Sequence, residues 1–364
     1  MNNFLNYKDI MAFHPGYYVA EIIEEMEISQ TEFATRLGTT DKTLSKLVNA
    51  QISISDDLAK KLSAMLGTSI DLWLNLQKEF DKKIIEIENR REIDAQENIA
   101  KLIDYSFFVK VAKLPDTRLW SEKVVNLCQF FKIANLSILC NPDFLVSYRT
   151  GIVSPNDKNL INAQAWFQTA LNFAKGIETA SFSAEKLKGF LPEIRSMTVQ
   201  DPETFLPRLR EIFSSCGVAF VLLPHLKNSG INGAVKWINS DRVVLAMNNR
   251  RLYADTFWFS LFHEIKHVLQ QKIKTVFISS DLEELKLVDK KFEDDADLFA
   301  QNYLIPEKEY RLFAPSKYTS DSEIIAFAKK INIHPCIVAG RLQHDNIIAV
   351  NRCSQLKLKY QIVL

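Results

Sequence analysis

Residues 28–49 read ISQTEFATRLGTTDKTLSKLVN, and their pattern determines the local structure of the N-terminal region. Ser29, with Glu32 three residues later, has the pattern of a capping box, which begins a helix. Gly38 is the residue type that most easily ends a helix in a left-handed conformation. A second helix then begins at Asp41. The stretch therefore predicts two short helices joined by a sharp turn.

The second of these helices has two different faces. Its apolar residues are spaced to face inward: Leu44, Leu47 and Val48. Its outward positions hold short polar or basic side chains: Thr40, Lys42, Thr43, Ser45 and Lys46. Reading a DNA major groove requires such side chains at the start of a helix, so we predict that this face binds DNA. The alternative is a helical module that binds only protein.

Two motifs flank this stretch. Phe13-His14-Pro15-Gly16 precedes it, with His14 in a turn, and Gly67-Thr68-Ser69 and LWLNLQ (residues 72–77) follow it. Over about residues 11–80 the sequence resembles the XRE-type helix-turn-helix, in the form found in HigA-type antitoxins. The resemblance implies an all-α DNA-binding domain, residues 1–80, with operator DNA as its partner.

Charge limits how this module binds DNA. Residues 1–80 hold seven Lys or Arg and eleven Asp or Glu, a net charge of −4. Attraction to phosphates is therefore confined to the recognition face, and a single module binds weakly. We expect a homodimer, which would double the number of contacts between the protein and DNA.

The whole chain has an ordinary globular composition. Its 364 residues are 47% hydrophobic and 24% charged, with a formal net charge of +1, which suggests two or three domains and no general attraction to nucleic acid or membrane. Five dispersed cysteines form no CxxC pair, and no secretory signal or membrane-length apolar run is present. We expect a soluble cytoplasmic protein with no membrane partner.

Residues 81–213 form a second region. Asp81 to Lys101 holds 11 charged residues in 21 positions, without Gly or Pro, and predicts a long exposed connecting helix with a solvated charged face. Residues 105–213 are expected to be mainly helical, and they carry no motif that assigns a role.

Residues 214–364 change to short apolar runs and then helices. Strands are predicted at residues 218–223, 234–238 and 243–247, with closing strands at 347–350 and 356–363. Helices are predicted at residues 253–271, 292–304, 321–331 and 335–344. Segregated strands and helices indicate an α+β domain, and the chain as a whole is α+β but mostly α.

The motif HExxH lies within residues 257–269, which read FWFSLFHEIKHVL. His263 and His267 are four residues apart on one helical face, which suits a tetrahedral Zn²⁺ site with an open position. Glu264 projects about 100° from His263, so it can act as general base towards a water molecule.

A further ligand is expected in residues 292–306, FEDDADLFAQNYLIP. Glu293 and Asp297 also share a helical face. One carboxylate can bind the metal while the other accepts a hydrogen bond from a ligand histidine. The alternative is an acidic face exposed to solvent.

These two motifs resemble the ImmA/IrrE family of metallo-endopeptidases over about residues 216–345. The resemblance implies a zincin-like core with His263, His267 and Glu293 as zinc ligands, Glu264 as base and Asp297 supporting a ligand.

The sequence departs from the family pattern at two positions. Lys266 stands where a small residue is usual, and Asp295, an alternative ligand, stands where Glu is common. Arg341 and His344, three residues apart on a later helix, are candidates to stabilise an oxyanion or contact substrate; packing or a salt bridge is the alternative.

The sequence therefore predicts a transcriptional regulator that carries a zinc endopeptidase, with a partner regulatory protein such as a repressor as substrate. The alternative is a non-catalytic, HigA-like antitoxin and transcriptional repressor. Its zincin-like domain would then only bind a toxin, another protein or a ligand.

Overall fold

The computed structural model describes residues 4–141, 158–249, 253–271, 276–280, 290–313 and 319–360. The chain forms two compact units, residues 1–97 and 98–364. Most of the described residues are helical and two small sheets accompany them, which confirms a mostly-α, α+β chain. The finer boundaries at residues 80 and 213 stay predictions. No helix in these ranges is both long enough and apolar enough to cross a membrane.

The first unit contains a hairpin and five helices, so the expectation of an all-α domain over residues 1–80 is wrong at the hairpin. The strands are β1 (Phe4–Tyr7) and β2 (Ile10–Phe13), which pair antiparallel. The helices are α1 (Pro15–Glu25), α2 (Gln30–Leu37), α3 (Asp41–Val48), α4 (Asp56–Leu66) and α5 (Ile70–Ala100).

Local capping bonds set the ends of α2 and α3. The Ser29 hydroxyl accepts a hydrogen bond from the Glu32 N–H, and the Thr40 hydroxyl accepts one from the Thr43 N–H. Gly38 ends α2 with φ at +69°, a conformation that costs glycine little. The two predicted helices and the turn between them are confirmed.

The flanking motifs pack into the core of this unit. Trp73 is 2% exposed, and its indole N–H donates to the Thr68 hydroxyl at 2.8 Å. His14, expected in a turn, caps α1 by accepting from the Gly16 N–H. The motif residues therefore build the domain around the two central helices.

The long charged helix is confirmed as part of α5, but its face is not solvated throughout. Asp94 accepts a hydrogen bond from the Tyr7 hydroxyl and pairs with the Lys8 ammonium, each at 2.6 Å, and Arg91 lies over the Tyr7 ring. Most charged positions of this stretch are exposed, as expected, but a solvated face does not describe Asp94. The partners come from the β1–β2 hairpin, whose four-residue strands are too short to show a clear alternation.

The second unit contains four strands and ten helices in the part that is described. The strands are β3 (Val218–Leu223), β4 (Ile231–Asn239), β5 (Arg242–Asn248) and β6 (Val276–Ser280). The helices before the sheet are α6 (Tyr105–Val111), α7 (Trp120–Phe131), α8 (Lys158–Ala174), α9 (Ala184–Ser196) and α10 (Pro202–Ser215). The later helices are α11 (Ala254–Leu269), α12 (Lys290–Leu304), α13 (Glu307–Phe313), α14 (Asp321–Lys330) and α15 (Pro335–His344).

The four strands form one mixed sheet in the order β3-β5-β4-β6. β3 is parallel to β5, whereas β4 is antiparallel to both of its neighbours. The strands predicted at 218–223, 234–238 and 243–247 are confirmed, while β6 was not predicted.

The predicted closing strands are wrong for the described residues. Residues 347–360 form turns and a short 3-10 segment, with a single bridge between Tyr253 and Lys359. Ile348 and Tyr360 are 4% and 3% exposed because they fill the core directly, without a neighbouring strand. Their apolar character reflects burial rather than sheet pairing. Residues 361–364 lie outside the described residues.

α11 and α12 pack closely and position the HExxH motif. α11 is anchored by a row of fully buried side chains: Trp258, Leu261, Phe262 and Ile265. α12 approaches it through Ala296 and Ala300, which have no exposed surface and little bulk. Arg195 of α9 donates to the carbonyls at the C-terminal end of α12, which holds that helix in place.

Candidate metal centre and DNA-binding helix

Three side chains from α11 and α12 converge on one point. The Nε2 atoms of His263 and His267 lie 2.9 Å apart. Glu293 places Oε2 at 3.2 Å from the first of these atoms and Oε1 at 3.3 Å from the second. Three ligand atoms, one from each residue, all lie within 4.8 Å of one another.

This arrangement fits a divalent ion. Ligand atoms about 2.0–2.2 Å from a tetrahedral zinc ion lie roughly 3.4 Å apart, close to the separations found here. Two imidazoles and a carboxylate are a ligand set of catalytic zinc, with one position left for water or substrate. Both histidines are buried, which preorganises them.

Further hydrogen bonds orient the two imidazole rings. His263 Nδ1 lies 2.8 Å from Asp297 Oδ1, and His267 Nδ1 lies 3.0 Å from Gln270 Oε1. A proton on each Nδ1 leaves the Nε2 lone pairs directed at the common point. Phe277 of β6 stacks on the His267 ring at 4.2 Å between centroids.

Gln270 and Phe277 were not found from the sequence. Gln270 directly follows the last residue of α11, three positions after His267, and no motif in the sequence marks it. Phe277 belongs to β6, whose pairing with β4 is a long-range contact.

The charges of the cluster shift the pKa values of its members. Burial alone would lower the pKa of His263, but hydrogen bonds to Asp297 and Glu293 outweigh it and raise that pKa to about 10. Burial likewise opposes ionisation of Glu293, yet the two histidines lower its pKa to about 2. Without a metal, the cluster therefore holds a positive charge between carboxylates, which is a position that a cation can take.

Glu264 lies beside this cluster and has no exposed surface. Its charge contributes to the raised pKa of His263. Gly233 of β4 makes room for it, because a Cβ at residue 233 would lie 2.3 Å from Glu264 Oε1. The glycine was not identified from the sequence, since the contact joins β4 to α11.

Lys266 and Asp295 pair with each other at 3.1 Å, and Lys266 also lies over the Phe299 ring. Asp295 accepts a further hydrogen bond from Gln270. Lys266 and Asp295, the two residues that depart from the family pattern, therefore bind each other and neighbouring side chains.

Arg341 and His344 lie on α15, and both contact Asp345, at 2.7 and 3.2 Å. The salt bridge that was the alternative for this pair is therefore present. Both residues also line a cavity of about 190 Å³ that reaches Phe259, one helical turn before His263 on α11. A role in binding substrate stays a prediction.

The predicted DNA-contacting residues form one face of α3. Lys42 and Lys46 are exposed, whereas Thr43 and Ser45 are half-buried. Leu44, Leu47 and Val48 are at most 7% exposed and form the opposite face. Thr40 stands at the N-terminal end, where its hydroxyl also contacts the Thr43 hydroxyl at 2.9 Å.

Comparison with known proteins identifies the class of this N-terminal module. The family model Helix-turn-helix (HTH_3) matches residues 19–73, which contain α2 and α3. The Escherichia coli K12 protein YddM, an uncharacterized HTH-type transcriptional regulator, is 30% identical over 92 residues, which are 24% of this chain and 98% of YddM.

Solved structures show similar proteins. An addiction module antidote protein of the HigA family from Coxiella burnetii is 28% identical, over 23% of this chain and 92% of its own, with a TM-score of 0.22. The Pseudomonas aeruginosa antitoxin HigA, solved with the higBA promoter, is 30% identical over 23% of this chain and 92% of its own, with a TM-score of 0.22.

The chain belongs to the HTH-type transcriptional regulators, and its N-terminal module is a helix-turn-helix of the XRE type.

Proposed function

We propose that this regulator binds operator DNA through α3 and carries a zinc-dependent endopeptidase that cleaves a partner regulatory protein. The observation that carries the peptidase proposal is the convergence of His263, His267 and Glu293, with Glu264 buried beside them. The same geometry supports the resemblance to the ImmA/IrrE metallo-endopeptidases and their zincin-like core.

The chain's own side chains divide the work of hydrolysis. A zinc ion held by the three ligands would polarise the scissile carbonyl and make water acidic enough to ionise near neutral pH. Glu264 takes the proton from the attacking water and passes it to the leaving amine. Asp297 and Gln270 hold the imidazole tautomers that present Nε2, and Phe277 covers one face of the fully buried His267 ring.

Metal analysis of the purified full-length protein tests the site. We expect about one zinc per chain, and loss of that zinc in His263→Ala and in His267→Ala, since each removes one of three ligands. His344→Ala, which removes an exposed histidine on α15, is the matched control and should keep its zinc. Equal zinc in all four proteins would exclude the proposed centre.

A substrate trap tests catalysis. Glu264→Gln keeps the size of the side chain but removes the base, so it should retain zinc and bind its partner without cleaving it. Proteins captured by this variant are then incubated with the wild-type chain. A captured protein that the wild type cleaves and Glu264→Gln does not is the expected result.

Salt-dependent DNA binding tests the proposed role of α3. Lys42→Ala and Lys46→Ala should each weaken operator binding and reduce the slope of log affinity against log salt by about one per bound module, hence by about two for the expected homodimer. Lys60→Ala, on α4, is the charge-matched control. Unchanged slopes for both α3 variants would contradict docking through this face. A homodimer presents two α3 helices, so its slope of log affinity against log salt should be about twice that of a single module.

The second candidate function is a HigA-like antitoxin without catalysis. The antitoxin-like motifs over residues 11–80 favour it, and Trp73, Leu74 and Leu76 of the closing motif pack in the core of the N-terminal unit. A toxin would then be the partner, and the zincin-like domain would only bind. Glu264→Gln separates the two: full biological activity of this variant would favour the antitoxin.

A further inference from the structure

A second, larger cavity lies in the same unit as the metal centre but is lined by other elements. Its volume is about 600 Å³, within the range of ligand-binding pockets. Residues of α6 and α10 and the end of α8 surround it, and the outer side of β3 forms its floor. None of its lining residues belongs to the metal cluster, so binding at this cavity does not depend on the proposed peptidase.

The cavity follows the edge of a strand rather than one face of the sheet. It contacts four consecutive residues of β3, Phe220 to Leu223. Because successive side chains point to opposite faces, contact with all four requires an approach from the edge. β3 stands last in the sheet order, with β5 as its only neighbour among the described strands.

The backbone of β3 presents hydrogen-bonding groups at this edge. The carbonyls of Gly217 and Leu223 accept hydrogen bonds from Val243 and Asn249, on the side of β5. Backbone groups alternate along a strand, so those of Phe220 and Leu222 point away from β5 and towards the cavity. An extended chain laid along this edge could pair with both residues.

The walls of the cavity carry positive charge. Lys110 and Lys113 come from α6 and its C-terminal end, and Arg210 comes from α10, while no Asp or Glu lines the cavity. The side chains of Lys110 and Arg210 are exposed, whereas Lys113 donates to the Lys110 carbonyl. Phe173, 40% exposed, adds an apolar surface at the rim.

We propose that this cavity binds an extended peptide segment with acidic side chains, which pairs with the free edge of β3. The main chain of the peptide would bond to Phe220 and Leu222, while its carboxylates meet Lys110 and Arg210. Its apolar side chains would lie against Phe173 and the strand. The cavity is thus an interaction surface for a second protein, separate from the metal centre.

Fluorescence anisotropy with the full-length protein tests the proposal. The probe is a fluorescein-labelled pool of nonapeptides in which Glu alternates with Val, Leu or Phe. We expect saturable binding that is weakened at least about tenfold in the double variant Lys110→Gln/Arg210→Gln, because both cations are lost. Lys188→Gln, which neutralises an exposed lysine of α9, should bind as the wild type does. Thermal unfolding of each variant verifies that it is folded.

Backbone methylation separates strand pairing from charge alone. Two further pools carry N-methyl groups at the Glu positions or at the apolar positions, so that each blocks one edge of the peptide. At least one pool should lose binding by about tenfold or more, since it cannot donate to β3.

Three results would overturn the proposal: no saturable binding, equal binding of a Lys-containing pool, or displacement by decanoate with no effect of methylation. The last would indicate a site for small amphiphilic anions.

Discussion

The helix pair α2–α3 and the helix pair α11–α12 are positioned by different kinds of contact. In the first pair, Ser29, Gly38 and Thr40 set the helix ends by bonds to residues three or four positions away. In the second pair, the bond from His263 to Asp297 joins residues 34 positions apart. The predicted DNA-binding surface thus depends mainly on local capping, whereas the proposed metal centre depends on how two distant helices pack.

This difference predicts where each site is vulnerable. A surface built by local capping should tolerate most substitutions that leave the caps and core intact. A cluster that spans two helices should respond to small displacements, since ligand geometry must hold within fractions of an ångström. Substitutions at close contacts test how tolerant the α2–α3 surface is and how sensitive the α11–α12 cluster is.

Gly16→Ala should have the largest effect, on the stability of the N-terminal unit. A Cβ at residue 16 would lie 1.9 Å from the Leu47 carbonyl oxygen, so α1 and α3 would have to separate. We expect a loss of about 3 kcal/mol in the free energy of unfolding, at the upper end of overpacking effects. Urea unfolding followed by circular dichroism measures it.

The control for this substitution is Gly189→Ala on α9. No atom lies within 4 Å of the position its Cβ would take, and alanine favours a helix over glycine by about 0.5–1 kcal/mol. It should therefore stabilise the chain slightly. If Gly16→Ala were equally harmless, the module would depend on local capping alone, without this close contact.

Gly233→Ala should impair catalysis at the proposed metal centre while its zinc binding is kept. The added Cβ would lie 2.3 Å from Glu264 Oε1, and the buried carboxylate would have to move. We expect cleavage of the trapped substrate to fall by about a hundredfold, while zinc content stays at the wild-type level. Loss of zinc, or an unchanged rate, would show that the glycine does not position the base.

The sequence predicted the parts of both sites that short spacings determine. Capping by Ser29, the turn at Gly38 and the four-residue spacing of His263 and His267 each act within one or two helical turns. The approach of Glu293 was expected from its motif, but the position of α12 against α11 is a packing result. Gln270, Gly233 and the hairpin β1–β2 were missed because their partners lie on other elements or lack a distinctive pattern.

Asp297→Asn should weaken zinc binding by about tenfold, as removal of a supporting carboxylate does in other metal sites. The amide keeps the size of the side chain but no longer stabilises the Nδ1 proton of His263 as strongly. Titration of the apo protein against a zinc-chelating dye measures the affinity. Asp294→Asn, an exposed position on the same turn of α12, should leave the affinity unchanged. An equal loss in both variants would point to general charge rather than orientation.

Thr40→Ala should have the smallest effect, and it separates two roles of one residue. Thr40 caps α3 through the Thr43 N–H, and it is also one of the predicted DNA contacts. Loss of the cap should cost about 1 kcal/mol of stability, which urea unfolding detects. Thr40→Ser keeps the hydroxyl and should restore stability in full. If serine restores stability but operator affinity stays low, the threonine methyl contacts DNA directly; if both return together, Thr40 acts on DNA binding through the shape of α3.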